Sequence, residues 1–248
     1  MEAMWWYLKS KYNITTNDTC STHIHISLDP IYTTPELKRI ASAIIHFEPA
    51  FEALVPEVRR NNCYVKSNWL DSPYLKDGNK TRSQLISQFE AQTRNNGIAS
   101  LMQTLFDRDY AWNFWALYRK RTIEFRKPPA CTAPEEILAW AELALSFIQA
   151  PVHCDSTERF QNVPATIGGL RWFVSQSSVP GVNEPARMQR LWAGRDPKET
   201  LQPVPQTVGY FPWEEKERAA AKQRLRSLAV QDERRVQNLG RNGREPYW

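Results

Sequence analysis

The amino-acid sequence predicts an α+β fold in which helices pack on one face of a largely antiparallel sheet. Residues 18–28 and 122–126 alternate polar with apolar side chains, which is typical of half-buried strands. Residues 134–150 instead place apolar side chains at helical spacing. The chain has 248 residues, of which 42% are hydrophobic and 12% aromatic, so it is long enough to bury a substantial core.

The N-terminal part of the chain predicts a helix, a strand and a second helix. The segment MWWYLKSKY, residues 4–12, indicates the last turns of a helix, and residues 18–28 indicate the strand. Pro35 opens the second helix, which continues to a stop at Pro56. Its apolar residues recur at helical spacing and are Leu37, Ile40, Ala41, Ile44 and Ile45.

The middle of the chain predicts three further helices and a pair of strands. Residues 82–93 and 97–106 indicate two short helices. Residues 111–127 hold two β-rich runs separated by the charged YRKR, which predicts a hairpin. The clearest helix spans residues 132–150, with Thr132 as its N-cap and Pro134 in its first turn. The stripe predicted to face the core is Ile137, Leu138, Ala141, Leu145 and Ile148.

Composition divides the chain into three parts. Residues 1–152 carry the periodic patterns and are predicted to form the main domain. Residues 153–212 are rich in proline with short helical pieces, which predicts an irregular extension packed on that domain. Residues 213–248 predict a charged helix and tail.

Charge and cysteine content narrow the classes of partner and compartment. The net charge is +5 and the isoelectric point is near 9.0, which suits an anionic small molecule or a nucleic acid. No apolar run approaches the ~18 residues of a membrane span, and the N-terminus lacks a signal-peptide pattern. Four scattered cysteines predict reduced thiols. We therefore expect a cytoplasmic protein with no membrane partner.

Two strand faces carry the side chains that point to chemistry. His23 and His25 lie two residues apart and therefore share one face of the first predicted strand. Glu124 and Arg126 have the same spacing on the later strand. Imidazole and carboxylate groups bind divalent cations, and arginine binds phosphate oxygens in a fork, so this set suits a metal and a phosphate.

Each pattern also has a simpler interpretation. A His-x-His pair on an amphipathic strand can be a solvated strand face, and a Glu-x-Arg pair can be a cross-strand ion pair. Spacing alone does not show that the two strands are neighbours.

Four stretches of the chain resemble the putative amidoligase family of fungi and bacteria. They are TCSTHIHISL, FEPAFEALVPEVRRNNCY, RDYAWNFWAL and RTIEFRKPPACTAPEEILAWAELAL, in the family's order and with its approximate spacing. The resemblance covers about the first 151 residues. It implies the glutamine synthetase-like fold that the carboxylate–amine ligases share.

The resemblance implies roles for individual residues. His23 and Glu124 would bind a metal ion, His25 would contact a nucleotide, and Arg126 would bind both the nucleotide and the transferring phosphate. Arg59 and Arg60 match the family's catalytic arginine stretch, although a solvated helix end explains them equally well. The positions matched to substrate contacts are Asn62, Tyr64, Arg108 and Asn113. One residue is inserted after Arg108 relative to the family pattern, and Asn113 can also be read as a strand-end hydrogen bonder.

The implied chemistry is ATP-dependent amide formation with Mg²⁺ or Mn²⁺. A substrate carboxylate, on a small amino-acid-like or peptide compound, would form an acyl phosphate that an amine then attacks. The family also has an earlier strand with a Glu-x-Glu pair, which has no counterpart here, so we expect a domain that lacks its first metal-binding strands. A second copy or a partner chain would then complete the site.

Two other functions stay open from the sequence. An inactive remnant of the same fold would act as an interaction protein and would tolerate loss of His25 and Arg126. Nucleic-acid binding ranks last, because the basic residues near the C-terminus are mixed with acidic ones. For the ligase, the sequence predicts His23 and Glu124 within metal-bridging distance on one sheet face, and the helix of residues 135–150 on the opposite face.

Overall fold

Three short antiparallel strands form the sheet that carries the candidate site. The structure is a computed structural model, and it describes residues 2–17, 20–29, 32–60, 62–71, 81–91, 106, 108–154, 156–177 and 185–203. The strands are β1 (Ile24–Ile26), β2 (Trp112–Asn113) and β3 (Ile123–Phe125), in the order β1-β3-β2. The predicted strand at residues 18–28 is therefore shorter than expected, with a further bridge from Ser21 to Pro129.

The described part of the chain also forms the helices that pack with this sheet. They are α1 (Glu2–Lys11), α2 (Thr34–Leu54), α3 (Glu57–Arg60), α4 (Arg82–Ala91), α5 (Trp115–Lys120), α6 (Pro134–Val152), α7 (Glu158–Gln161), α8 (Ile167–Ser175) and α9 (Pro185–Trp192). The predicted helices at residues 4–12, 35–55, 82–93 and 132–150 are confirmed. Most of the helix predicted at residues 97–106, and all of the one predicted at 213–248, lie outside the described residues.

The central strand β3 pairs with both neighbours at Glu124. His25 of β1 lies opposite Glu124 on one side, and Asn113 of β2 lies opposite it on the other. The predicted pairing of the runs within residues 111–127 is confirmed, but their connection is the helix α5 instead of a tight turn. The C-cap of this helix is Arg121, whose amide donates to the Leu117 carbonyl at 3.1 Å.

Local sequence explains where α2 begins and ends. The Thr33 hydroxyl accepts a hydrogen bond from the Glu36 amide, while the Glu36 carboxylate accepts one from the Thr33 amide at 2.6 Å. This reciprocal capping box, followed by a proline in the first turn, fixes the start of the helix. The helix ends at Leu54, because the following Val55 precedes Pro56 and takes an extended conformation.

The N-cap of α6, and part of its buried face, differ from the prediction. Its N-cap is Ala133, which has no capping side chain, so the prediction of Thr132 as the cap is wrong. The Thr132 amide instead donates to the Glu136 carboxylate at 3.0 Å. The buried face comprises Ala139, Trp140, Leu143, Ala144, Phe147 and Ile148. Of the predicted stripe, Ile148 is buried, and Ile137 and Leu145 are partly buried and pack against the core. Leu138 and Ala141 are only partly buried, because the helix turns its aromatic side chains toward the sheet and α2.

An aromatic cluster joins α6, α2 and the sheet. Phe125 stacks on Trp112 across the strand pair, with ring centroids 4.1 Å apart. Phe51 of α2 meets Phe125 edge-on at 5.4 Å, and Phe147 of α6 lies 5.2 Å from Trp112. Phe125 points away from the face that carries Glu124, because neighbouring residues on a strand alternate. The predicted packing of this helix on the opposite face is therefore confirmed.

The edge of the sheet next to β2 is covered by a loop. The Asn68 side chain donates to the Trp112 carbonyl at 2.8 Å and accepts from the Trp112 amide at 3.0 Å. Two residues earlier, Lys66 forms a parallel bridge with Tyr110. The loop thus satisfies the backbone groups that an edge strand would otherwise expose.

Residues 153–203 contribute three short helices that pack against α2 and α6. The His46 Nε2 atom lies 2.8 Å from the Val163 carbonyl oxygen, and Arg187 forms a 2.8 Å ion pair with Glu142 of α6. All described residues fall within one unit, Met1–Gln206. The predicted boundary near residue 152 stays a prediction. Among the described residues, no helix combines the length and apolar character that a membrane crossing requires.

Three charged groups are buried between α2 and the end of β3. Lys127 forms an ion pair with Glu52, and both side chains are 2% exposed. One helical turn earlier, the Glu48 carboxylate accepts hydrogen bonds from the amides of Asn68 and Trp69 and from the Ser67 hydroxyl. Burial, together with the negative charge of Glu52, raises the pKa of Glu48 to about 7.

This raised pKa predicts that Glu48 makes the protein less stable as the pH rises. The folded state holds the proton more tightly than the unfolded state, so the free energy of unfolding falls between about pH 4.5 and pH 7 and levels above that. The contribution is on the order of 3 kcal/mol. Urea denaturation at several pH values should show a flatter profile for Glu48→Gln than for wild type.

The matched control for this experiment is Glu90→Gln, because Glu90 also lies on a helix but is exposed. Its pH profile should follow that of wild type. An unchanged slope in Glu48→Gln would contradict the assignment of the buried proton to this residue.

A second prediction concerns the backbone at the end of α5. Arg121, with φ of 55°, is the one non-glycine residue of the described chain that has a positive φ. This conformation costs an L-residue about 1 kcal/mol, and glycine removes most of that cost. We expect Arg121→Gly to raise the free energy of unfolding by about 1 kcal/mol in urea titrations. Arg119→Gly, inside the same helix, should lower it by about 1 kcal/mol; equal destabilisation by both changes would refute the strain.

Candidate functional site

The face of the sheet opposite the aromatic core collects the polar side chains predicted from the sequence. Glu124 lies at its centre and is 5% exposed. Its Oε1 atom lies 2.9 Å from His23 Nδ1, 3.0 Å from Arg126 Nη1 and 3.6 Å from His25 Nε2. The prediction that His23 and Glu124 share one face is therefore confirmed, but the two side chains are in direct contact instead of at the metal-bridging distance that the sequence predicted.

The second oxygen of Glu124 is held from β2. Asn113 is buried and donates from Nδ2 to Glu124 Oε2 at 2.5 Å. Burial alone would raise the pKa of Glu124, but the hydrogen bonds from His23 and Asn113 and the charge of Arg126 outweigh it and lower the pKa to about 2. Glu124 is thus an ionised carboxylate with donors on both oxygens.

The two histidines make different contacts along the strand. His23 Nε2 lies 2.8 Å from the Ser21 hydroxyl, and His25 Nδ1 lies 2.9 Å from the Thr122 hydroxyl. Their side chains are 35% and 31% exposed, so both rings reach solvent. Burial, helped by the positive charge of Lys120, lowers the pKa of His25 despite the opposing attraction of Glu124.

Arg126 extends the site toward the loop that follows α3. Its Nε donates to the Tyr64 carbonyl at 3.3 Å, and its side chain is 14% exposed. Two nitrogens of the guanidinium are therefore held, Nη1 by the Glu124 carboxylate and Nε by the Tyr64 carbonyl. This arrangement sets the plane of the guanidinium at the edge of the site.

Arg59 supports this segment from beneath. It is buried, and its guanidinium donates to the carbonyl oxygen of Arg126 at 2.7 Å and to that of Lys127 at 3.3 Å. Arg59 therefore stabilises the backbone segment that carries Arg126. Of the two interpretations that the sequence left open, a solvated helix end is wrong for Arg59, because the side chain is enclosed.

The remaining predicted residues lie around the edges. Tyr64 has an exposed side chain, and its amide donates to the Asn62 side chain at 3.0 Å. Arg60 is partly buried, and its charge acts on Glu52. Arg108 is exposed.

The sequence predictions missed Ser21 and the buried pair of Lys127 and Glu52. Ser21 lies two residues before His23, so the alternation that paired His23 with His25 also places Ser21 on the same face. The buried Lys127–Glu52 pair gave no signal, because a lysine after a strand is usually exposed.

The histidines and Glu124 do not fit a divalent cation as they stand. Metal ligands converge on a common point about 2.0–2.2 Å from each donor atom. Here His23 and His25 both point at one oxygen of Glu124, and Arg126 places a positive charge on that same oxygen. Within the described ranges, no group of three or more His, Cys, Asp or Glu side chains is arranged to hold a metal ion.

This arrangement supports two kinds of chemistry. The partly exposed guanidinium of Arg126, beside two imidazoles, suits an anionic group such as a phosphate or carboxylate. The contacts from Glu124 to His23 and from His23 to Ser21 hold an imidazole in one orientation, which suits proton transfer. Both lie on the same open face of the sheet.

Comparison with known proteins gives one match. The model of a family described as "Putative amidoligase enzyme" matches residues 1–148. These residues include Glu124 and the side chains that contact it, which are His23, His25, Asn113 and Arg126. Searches of curated proteins and of solved structures found no match.

The position of Arg59 predicts that its loss affects folding before it affects any ligand. We expect Arg59→Met to lower the free energy of unfolding by about 2–3 kcal/mol, because two carbonyl oxygens lose a charged donor. Arg60→Met is the matched control, and since its side chain is only partly buried it should cost less than about 1 kcal/mol. Equal losses in chemical denaturation would show that the buried contacts of Arg59 add no stability.

Proposed function

Because the chain belongs to the amidoligase family, we propose that it joins a substrate carboxylate to an amine in an ATP-dependent reaction. The observation that supports this most strongly is the convergence of His23, His25, Glu124 and Arg126 on one sheet face within the matched residues. The proposal includes a glutamine synthetase-like fold, which is consistent with an antiparallel sheet that has helices on one face.

The proposed reaction has two steps. A carboxylate oxygen of a small amino-acid-like or peptide substrate attacks the γ-phosphorus of ATP, ADP leaves, and an acyl phosphate forms. The amine then attacks the acyl carbon, inorganic phosphate leaves, and the amine nitrogen loses a proton as the amide forms. The acyl phosphate retains free energy from the cleavage of ATP, and this free energy drives the formation of the amide.

The chain's own residues would position and neutralise the phosphates. Arg126 offers its guanidinium to the transferring phosphoryl group, and Glu124 keeps the guanidinium in place through the 3.0 Å ion pair. His25, with its ring partly exposed, would contact the nucleotide. Asn113 fixes Glu124 from the other side.

Magnesium or manganese enters this proposal with the nucleotide. The phosphate oxygens and water would supply most of the six ligands that Mg²⁺ prefers. The described residues do not hold the ion by themselves, so a second copy or a partner chain that adds carboxylates would strengthen its binding.

Calorimetric titration of Mg·ATP and Mn·ATP into the full chain tests the proposal. We expect binding that requires the metal and weakens at least about tenfold in the His23→Ala/Glu124→Ala variant, because the phosphate-facing group is then disordered. His153→Ala, an exposed histidine after α6, is the control and should bind like wild type.

The outcome also separates the ligase from the inactive remnant. Binding followed by ADP release in the presence of a carboxylate and an amine would support the ligase. A well-folded wild-type chain that binds neither Mg·ATP nor Mn·ATP would contradict the ligase proposal and would favour an interaction protein on the same fold.

A further inference from the structure

Two hydrogen bonds connect Ser21, His23 and Glu124 in series along the open face of the sheet. The Ser21 hydroxyl lies 2.8 Å from His23 Nε2, and His23 Nδ1 lies 2.9 Å from Glu124 Oε1. A serine, an imidazole and a carboxylate in this order are the connectivity of a nucleophile, its general base and an orienting acid.

The partners of His23 assign its tautomer. His23 Nδ1 faces two groups, which are Glu124 Oε1 at 2.9 Å, an acceptor, and Arg126 Nη1 at 3.4 Å, a donor. The Arg126 donor makes its shorter hydrogen bond, 3.0 Å, to the same Glu124 oxygen, so the closer carboxylate contact places the proton of the neutral ring on Nδ1. Nε2 then carries the lone pair and accepts the hydrogen bond from the Ser21 hydroxyl. This is the tautomer that a general base needs in order to take a proton from serine.

Backbone contacts hold the three groups on one rigid frame. Ser21 forms an antiparallel bridge with Pro129, and the Thr22 hydroxyl accepts from the Cys131 amide at 3.2 Å. The segment that carries the hydroxyl is therefore attached to the segment that follows Glu124. The spacing of the hydroxyl, imidazole and carboxylate follows from strand pairing and not from chance contact of loose side chains.

Burial decreases in the direction that catalysis requires. The Glu124 side chain is 7% exposed, the His23 side chain is 35% exposed, and Ser21 is partly exposed. The carboxylate is thus shielded from solvent, whereas an incoming compound can reach the hydroxyl. Asn113 and Arg126 hold the carboxylate from its other sides, so its orientation toward His23 is fixed.

We propose that Ser21 is a nucleophile that accepts an acyl group from an activated ester, with His23 as the general base and Glu124 as a positioning residue. This acyl transfer goes beyond the ligase reaction and requires neither ATP nor a metal. It also gives a function to the contact between Ser21 and His23, which a metal-binding interpretation leaves unexplained.

Acylation of Ser21 by the ester, followed by hydrolysis of the acyl-serine, requires water and no other reactant. The Ser21 oxygen bonds to the acyl carbon while its proton passes to His23 Nε2. The bond from the acyl carbon to the leaving alkoxide breaks, and that alkoxide takes the proton from His23. Water then attacks the acyl carbon and gives a proton to His23. The bond from that carbon to the Ser21 oxygen breaks, the Ser21 oxygen takes the proton from His23, and the acid is released.

The first experiment uses a fluorophosphonate, which reacts with activated serines. In this reaction an oxygen–phosphorus bond forms at serine, fluoride leaves, and the serine proton passes to the base. The full chain is incubated with the probe in the absence of nucleotide, and the adduct is followed by intact mass and located by peptide fragmentation. We expect one adduct, on Ser21.

Four variants test the roles of the three groups. Ser21→Ala should not react, whereas Ser27→Ala, an exposed serine on the same strand face, should react like wild type. His23→Ala should react about a hundredfold more slowly, because it lacks the general base. Glu124→Gln should also be slow, because an amide no longer selects the tautomer with the proton on Nδ1.

Several results would overturn the proposal. They are an adduct on another residue, labelling of Ser21→Ala at the wild-type rate, and labelling of His23→Ala at the wild-type rate, each with thermal unfolding showing that the variant is folded. A p-nitrophenyl acetate assay adds a second readout, because an acyl-serine intermediate predicts a burst of about one equivalent of nitrophenolate.

A conservative variant guards against misfolding as an explanation. In Ser21→Cys, the introduced thiol should react with iodoacetamide faster than the neighbouring exposed Cys20, because His23 accepts its proton. Equal rates at the two sulfurs would contradict activation by His23.

This test and that of the ligase can fail separately. Labelling at Ser21 by a chain that binds no Mg·ATP would support acyl transfer alone. Nucleotide binding by a chain that does not label would support the ligase alone.

Discussion

The alternation of side chains along β3 is the constraint on which the rest of the structure depends. Ile123 and Phe125 enter the aromatic core, so Glu124 has to lie on the opposite face, between β1 and β2. A shift of one residue in register would bury the carboxylate among aromatic rings and expose Phe125. The position of the candidate site is therefore determined by the packing of the core.

Much of this could be predicted from the sequence, because strand alternation leaves a direct trace in it. The pairing of residues 111–127 and the shared face of His23, His25 and Glu124 followed from spacing of two residues and from resemblance. The extent of the strands could not be predicted, because backbone pairing depends on neighbours that are distant in sequence. The stripe predicted on α6 was only partly correct for a related reason. The helix meets several partners, so its buried face is wider than one stripe and includes Trp140, Leu143 and Phe147.

The functional side chains differ in how far their roles could be predicted. A strand histidine is readily assigned to a face, but its hydrogen-bond partner depends on three-dimensional geometry, as Ser21 shows for His23. Arg59 shows the opposite case. The sequence left Arg59 open between a catalytic arginine and a solvated helix end, whereas only the fold shows that its guanidinium donates to the backbone carbonyl of Arg126. Charge in a sequence does not distinguish a residue that meets a ligand from one that supports its neighbour.

The loop contact made by Asn68 has a consequence for how the chain can diverge. Its amide replaces a strand residue by offering one donor and one acceptor to Trp112, and aspartate, leucine and alanine cannot offer both. Insertions or deletions between Lys66 and Asn68 would also separate the loop from β2. Residues 66–68 therefore act as part of the sheet edge, and a gap placed there in an alignment would mark a protein with a different sheet edge.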